Sequence, residues 1–190
     1  MKEIYQEIWY ESLPFQDKRE DDGHARTVLH FAKLLLEKVD ADSDIVIPAA
    51  ILHDIGWSQM PKEKAMKFMD PELRLEVQQL HEQLGASLAR KILLELNYPE
   101  KKIDEISEII GGHDTREGFL DKNDGIVRDA DKLWRFSKLG FWTDVKRRPE
   151  NGTEWAEKVK IIFLEKDEFF FSDEAREIAE QELKEREKEI

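Results

Sequence analysis

The residues able to do chemistry in this chain are its five histidines, His24, His30, His53, His81 and His113, with the aspartates placed beside some of them. His53 and Asp54 are adjacent in "AAILHDIGW", directly after the apolar Val46, Ile47, Ala49, Ala50, Ile51 and Leu52. The chain has no cysteine, so any metal must be held by imidazole nitrogen and carboxylate or other oxygen. Position relative to the apolar stripes sorts the candidates. His24 falls in line with Val28, Phe31, Leu35 and Val39, at spacings of four, three, four and four that trace one face of a helix. His30 is six positions further on, about 240° round the helix, and is expected at the surface. His81 sits among Val77, Leu84 and Leu88, and His113 follows Ile103, Ile106 and Ile110; both lie on apolar faces. His53 and Asp54, about 100° apart, flank one line that a metal ion could reach from. In "GIVRDADKLWRF", Asp131 aligns with Val127 and Trp134 while Asp129 lies about 160° away, which makes Asp131 the inward candidate.

A single histidine on an apolar face is ordinarily a core residue satisfied by a backbone hydrogen bond. Four histidines and two aspartates facing inward from five segments are a different matter, because a buried carboxylate without a partner is strongly destabilising. Ion pairs could satisfy the aspartates; a metal satisfies all six residues at once. A divalent ion held with open positions lowers the pKa of bound water towards about 7, which is hydrolytic chemistry.

The elements that must position these residues are helical. Apolar residues recur mostly at three- and four-residue spacing, glycines are few and β-branched runs are short. The pattern predicts helices over 3–12, 23–40, 45–55, 61–69, 71–96, 99–111, 125–139, 153–170 and 173–188. Asp70 before Pro71, Asn97 before Pro99, and Ser172 before "DEA" are expected to cap the helices that follow. Gly56 is expected to supply the left-handed residue that ends the helix carrying His53. The stretch from Gly111 to Gly125 is expected to be a loop.

In their order along the chain, His24, the His53–Asp54 pair and Asp131 resemble the HD-domain superfamily of metal-dependent phosphohydrolases. "DGHARTVLHFAKLL", "AAILHDIGW" and "RDADKLWRF" look like its three ligand segments, and "HEQLGASLARKIL" and "IIGGHDT" like the two intervening histidine segments of many members. The likeness spans roughly residues 20–140. It implies an all-α fold: an HD-type helical bundle with the site at its centre, in a single domain over 1–190 with core 20–140 and a C-terminal helical extension over 141–190.

The resemblance also implies the ligands. His24, His53, Asp54 and Asp131 match the set that holds one metal; His81 and His113 match the two further histidines of members with two metals bridged by the dyad aspartate, here Asp54. In a one-metal version His81 and His113 would line the substrate pocket. Nitrogen and carboxylate ligands suit a divalent transition metal, one or two ions of iron, manganese, zinc, nickel or cobalt. The implied reaction is hydrolysis of a phosphate ester or anhydride, of a nucleotide or other small phosphorylated metabolite, with Asp54 at the reacting centre. Lys132 matches a phosphate-contacting lysine of the family's nucleotide triphosphohydrolases, and Arg116 is placed to reach the same anion; each could equally pair with a surface carboxylate. Trp57 and Trp134 are candidates for a pocket wall or for the core.

Two departures narrow the class. No acid follows the dyad until Glu63, which counts against the 5′-nucleotidase branch, and the glycine-tyrosine-proline motif of cyclic-dinucleotide phosphodiesterases is missing. Di-iron oxygenases share the ligand order, and a metal-bearing regulatory module without turnover is the third class. The net charge of −13 argues against general nucleic-acid binding. The chain's first residues lack a basic segment followed by a long apolar run, and no apolar stretch is long enough to span a bilayer, so a cytoplasmic protein without membrane association is expected. In the tail, Phe163 and Phe169 to Phe171 are expected to cover the bundle, with a homodimer contact as the alternative.

Overall fold

A computed structural model describes residues 2–18, 21–165 and 169–190. Residue 20, the first of the expected core, and residues 166–168, within the helix expected over 153–170, lie outside the described residues. The fold is all-α. Its helices are α1 (Glu3–Ser12), α2 (His24–Leu36), α3 (Ser43–Leu52), the short α4 (Lys62–Ala65) and α5 (Arg74–Glu95). They continue as α6 (Glu100–Ile110), α7 (Lys122–Leu133), α8 (Lys138–Arg147), α9 (Gly152–Val159) and α10 (Asp173–Glu189). Among the described residues there is no strand, and no helix is long and apolar enough to cross a membrane.

The centre of the bundle is α3, buried at every position from Ile45 to Leu52. A helix apolar on all sides has no solvent face, so it must be surrounded; α1, α2, α6 and α7 pack around it. Its first turn is capped by Asp42, whose side chain accepts from Asp44 N at 2.8 Å. Pro48 lies inside this helix. It has no N–H to give the Asp44 carbonyl four residues back, and a buried carbonyl needs a partner. Tyr98, just beyond α5, supplies it: its hydroxyl donates to Asp44 O at 2.6 Å.

Four local expectations are corrected. Asn97 does not cap α6; it ends α5. Its left-handed backbone (φ 53°) lets Asn97 N donate to Leu94 O and Tyr98 N to Leu93 O, the paired bonds of a Schellman motif. The Asp70 carboxylate accepts from Glu72 N at 3.0 Å within a turn, and the helix starts only at Arg74. The helix expected over 125–139 is two helices. Asp121 caps α7 at Lys122, and Ser137 has extended backbone and a side chain accepting from Gly140 N, which stops one helix and starts α8. Gly56 has no positive φ; it lies within a 3₁₀ turn, Ile55–Gln59.

Ser172 caps α10, accepting from Ala175 N at 3.2 Å. Asp129, on the far side of α7 from Asp131, is fully buried and accepts from Phe171 N, Ser172 N and Ser172 Oγ at 2.8, 2.9 and 2.8 Å. That carboxylate ties the entry of α10 to α7. Phe163 and Phe170 lie against Phe136, with ring centroids 6.4 and 5.9 Å away.

Candidate metal centre

Five segments bring the candidate ligands together. His24 is the first residue of α2, His53 and Asp54 follow the end of α3, His81 is inside α5, His113 follows α6, and Asp131 is in the last turns of α7. What sets the spacing between the His53–Asp54 corner and α5 is Gly56. A Cβ on Gly56 would stand 1.9 Å from His81 O and 2.6 Å from Gly85 N, so glycine is there to let the turn touch the α5 backbone.

The six side chains form two clusters joined by one carboxylate. On one side His24 Nε2 lies 3.0 Å from His53 Nε2, 3.2 Å from Asp131 Oδ1 and 3.3 Å from Asp54 Oδ2. On the other, His81 Nε2 and His113 Nε2 are 3.4 Å apart and lie 3.4 and 3.5 Å from Asp54 Oδ1. The two oxygens of Asp54 therefore face different clusters. The four histidines are at most 5% exposed, whereas the side chains of Asp54 and Asp131 keep 17% and 19%. The carboxylates mark the side from which solvent enters. That side is a cleft of about 270 Å³, with Trp134 also on its wall.

The donor set fits a divalent metal. His53 Nδ1 is 3.0 Å from Ala50 O and His113 Nδ1 is 2.9 Å from Ile110 O. A carbonyl only accepts, so each Nδ1 carries the proton and each neutral ring turns an Nε2 lone pair into the cluster. Lone pairs then face carboxylate oxygens and one another, acceptor against acceptor. Among the described residues, His24 Nδ1 and His81 Nδ1 are buried without a hydrogen-bond partner. Metal–ligand bonds of about 2.0–2.2 Å put two ligands of one ion about 3 to 3.5 Å apart, close to the separations found here. Groups able to hold an ion are His24, His53 and Asp131; His53, Asp54 and His113; and His81, His113 and Asp114.

Without a metal, the same demand for positive charge falls on protons. Burial alone would push the His24 ring down, but the Asp131 and Asp54 carboxylates overcome it and raise it to about 10. His113 behaves alike: burial lowers it, and Asp54 with Asp114 raises it to about 10. Burial would raise the Asp131 carboxyl, yet His24 and His53 hold it well below the usual carboxylate range.

Two expected site residues are not brought to the cluster. Lys132 Nζ donates to Phe169 O and lies 4.9 Å from the Phe119 and Phe169 ring centroids, on the tail side of α7. Burial lowers its amine to about 8. Neighbours on a helix diverge by about 100°, so a lysine beside an inward aspartate is carried away from it. Arg116 pairs with the buried Asp124 at 3.0 Å and donates to Glu108 O.

Three contacts go beyond the sequence-based expectations, which place Trp57 only at a pocket wall or in the core and give no role to Glu82 or Asp114. Trp57 donates through Nε1 to Asp54 Oδ1 at 3.0 Å and stacks on His81 at 4.3 Å, orienting both. Glu82, 1% exposed, accepts from Asp114 N, Thr115 N and Thr115 Oγ1 at 2.8, 2.9 and 2.6 Å, which holds the loop after His113. Asp114 Oδ2 lies 3.7 Å from His81 Nε2. The signal for Glu82 was an acid directly after an inward histidine on a helix with an apolar face.

Comparison with known proteins gives three findings. The family model for the HD domain matches residues 22–135, more than half of the chain and inclusive of all six candidate ligands. A Bacillus subtilis (strain 168) protein named "Putative phosphohydrolase YueE" is 33% identical over 124 residues, 61% of this chain. The chain spans 66% of that relative's length. The 1.45 Å crystal structure of a "predicted HD superfamily hydrolase" from an uncultured Thermotogales bacterium superposes with a TM-score of 0.63 at 21% identity, over 98% of this chain and 86% of the other. That last likeness is one of fold.

Proposed function

Since the chain belongs to the HD-domain family, we propose that it is a metal-dependent phosphohydrolase holding two divalent transition-metal ions, which cleaves a small phosphorylated substrate. The observation that carries this reading is Asp54, whose Oδ2 faces His24 and His53 and whose Oδ1 faces His81 and His113. One carboxylate shared between two nitrogen-rich clusters is the arrangement expected of a bridging ligand. His24, His53, Asp54 and Asp131 would hold the first ion, and Asp54, His81 and His113 the second, with Asp114 beside them. When bound, such ions supply hydroxide from water near neutral pH and neutralise charge on a phosphoryl oxygen.

The chain's own residues prepare the rest. The Ala50 and Ile110 carbonyls fix the His53 and His113 rings with Nε2 turned inward, the outer hydrogen bond typical of ligating histidines. Trp57 holds the shared carboxylate and shields its buried side from water. The exposed edges of Asp54 and Asp131 open on the cleft, where a phosphoryl group would enter. The relative named as a phosphohydrolase supports the reaction class.

The test is anaerobic purification, add-back of Mn²⁺, Fe²⁺ or Co²⁺, and phosphate release from a panel of phosphate esters and anhydrides. Metal-dependent phosphate release is expected. Dioxygen consumption by an iron form that releases no phosphate would contradict it and point to the oxygenase class.

A further inference from the structure

The cleft over the cluster carries a second charge pattern. Asp54 and Asp131 lie at its floor, and Arg74, Arg135, Arg147 and Arg148 also line it. The chain has eleven arginines among its 30 basic residues; among the described residues four line this cleft and no lysine does. That choice favours the planar guanidinium fork, which grips phosphate and carboxylate through two parallel N–H bonds.

Three of these arginines, Arg74, Arg135 and Arg148, differ in what they touch from four elsewhere in the chain. Arg90, Arg116, Arg128 and Arg186 each pair with a carboxylate. Among the described residues Arg74, Arg135 and Arg148 form no salt bridge, in a chain with 43 acidic residues. Asp144 shares the rim with them and pairs with none of the three. Each of the three lies over an aromatic ring instead. Arg148 lies 4.0 Å from the Trp155 ring centroid, Arg135 5.5 Å from that of Phe163, and Arg74 5.5 Å from that of Phe68, whose carbonyl also accepts from Arg74 Nε. A ring attracts the cation without accepting all of its N–H groups, so N–H groups are left to donate.

We infer that this arginine rim holds a second phosphoryl group of the substrate, so that the substrate carries at least two: one at the Asp54–Asp131 floor, where it is hydrolysed, and one gripped by Arg135, Arg148 and Arg74. The inference rests on the phosphohydrolase reading for the floor. At about 270 Å³ the cleft is slightly below the range of roughly 300–1,000 Å³ usual for small-molecule sites. It accommodates the phosphorylated end of a substrate, the remainder projecting past the rim.

The experiment is calorimetric binding of methylphosphonate, methylenediphosphonate, propane-1,3-diphosphonate and phosphonoacetate to the metal-loaded protein and to Arg135→Gln, Arg148→Gln and Arg74→Gln. A charged hydrogen-bonded contact supports about a 10- to 100-fold preference for the better diphosphonate over methylphosphonate. Each variant is expected to cut that preference by about tenfold. Arg74→Gln, on an exposed stretch of α5, keeps the test alive if loss of the Trp155 stack unfolds Arg148→Gln. No preference in the wild type, a preference intact in all three variants, or tighter binding of phosphonoacetate would each overturn the inference. Phosphate release from simple monoesters is measured alongside. Monoester hydrolysis with no diphosphonate preference sinks the rim alone, whereas no phosphate release from any substrate removes the floor reading and the inference with it.

Discussion

Gly56→Ala is the substitution that most directly couples the fold to the site. The added Cβ would stand 1.9 Å from His81 O, 2.6 Å from Gly85 N and 2.9 Å from Gly85 Cα, all backbone atoms with no rotamer to yield. A tolerable carbon–oxygen contact is about 3.3 Å, so the turn and α5 must part by roughly 1.4 Å. Overpacking against backbone costs about 2–3 kcal/mol or more, which in a chain of this size lowers Tm by about 5–10 °C. The same displacement separates Asp54 Oδ1 from His81 Nε2, now 3.4 Å apart, and should weaken binding of an ion at that cluster about 10- to 100-fold. Gly85→Ala is the control. Its Cβ would meet Ile110 Cγ2 at 3.3 Å and Gly56 N at 3.4 Å, a tight fit offset by a gain in helix propensity of about 1 kcal/mol. Thermal melts with metal analysis by mass spectrometry read both effects. Gly56→Ala melting within about 2 °C of wild type with its full metal content would refute the reasoning.

Three further outcomes are expected. Glu82→Ala removes the acceptor shared by Asp114 N, Thr115 N and Thr115 Oγ1; it should cost about 1–3 kcal/mol and loosen the His113 cluster while sparing His24 and His53. Melts and metal titration check it, and an unchanged second ion would count against Glu82 as a positioning residue. Tyr98→Phe strips the Asp44 carbonyl of its donor and should lower stability by about 1–3 kcal/mol in denaturant melts, whereas an unchanged midpoint would mean the carbonyl finds another partner. In chelator, His24 and His113 are raised from 6.5 to about 10 by their carboxylates against the opposing effect of burial. Their contribution to stability is complete below pH 6.5 and fades as pH climbs towards 10. Asp131, held low, contributes above the ordinary carboxylate range and loses this on acidification. Metal-free protein should therefore melt progressively lower from pH 7 to 10, and ion binding at pH 8 should release protons, visible as a calorimetric heat that changes with buffer; a flat profile and buffer-independent heat would contradict this.

The inward histidines were legible because each sits on a helix whose apolar stripe gives its direction: His24 with Val28, Phe31 and Leu35, and His81 with Val77. Asp131 separated from Asp129 by the same arithmetic. That arithmetic said nothing of what Asp129 does, because its partners, Phe171 and Ser172, are some forty residues away. Lys132 and Arg116 were placed by likeness and proximity along the chain, and neither tells which way a side chain turns. The sequence pattern does not mark Arg147 and Arg148, because Ser137 reads as helix interior whereas it caps α8, which ends at Arg147 with Arg148 as its C-terminal cap. Gly56 shows the limit plainly. Local grammar offers a left-handed helix end, and only the approach of α5 reveals a contact with no room for a methyl group.

The central claim is that Asp54 joins two ion-holding clusters. Metal per chain, measured on anaerobically purified wild type, His24→Ala, His113→Ala and Asp54→Ala, tests it most directly. The account predicts two ions in the wild type, one in each histidine variant, retained at opposite clusters, and fewer than one in Asp54→Ala. A wild type that binds no transition metal under any loading, or histidine variants that keep the full wild-type complement, would contradict it.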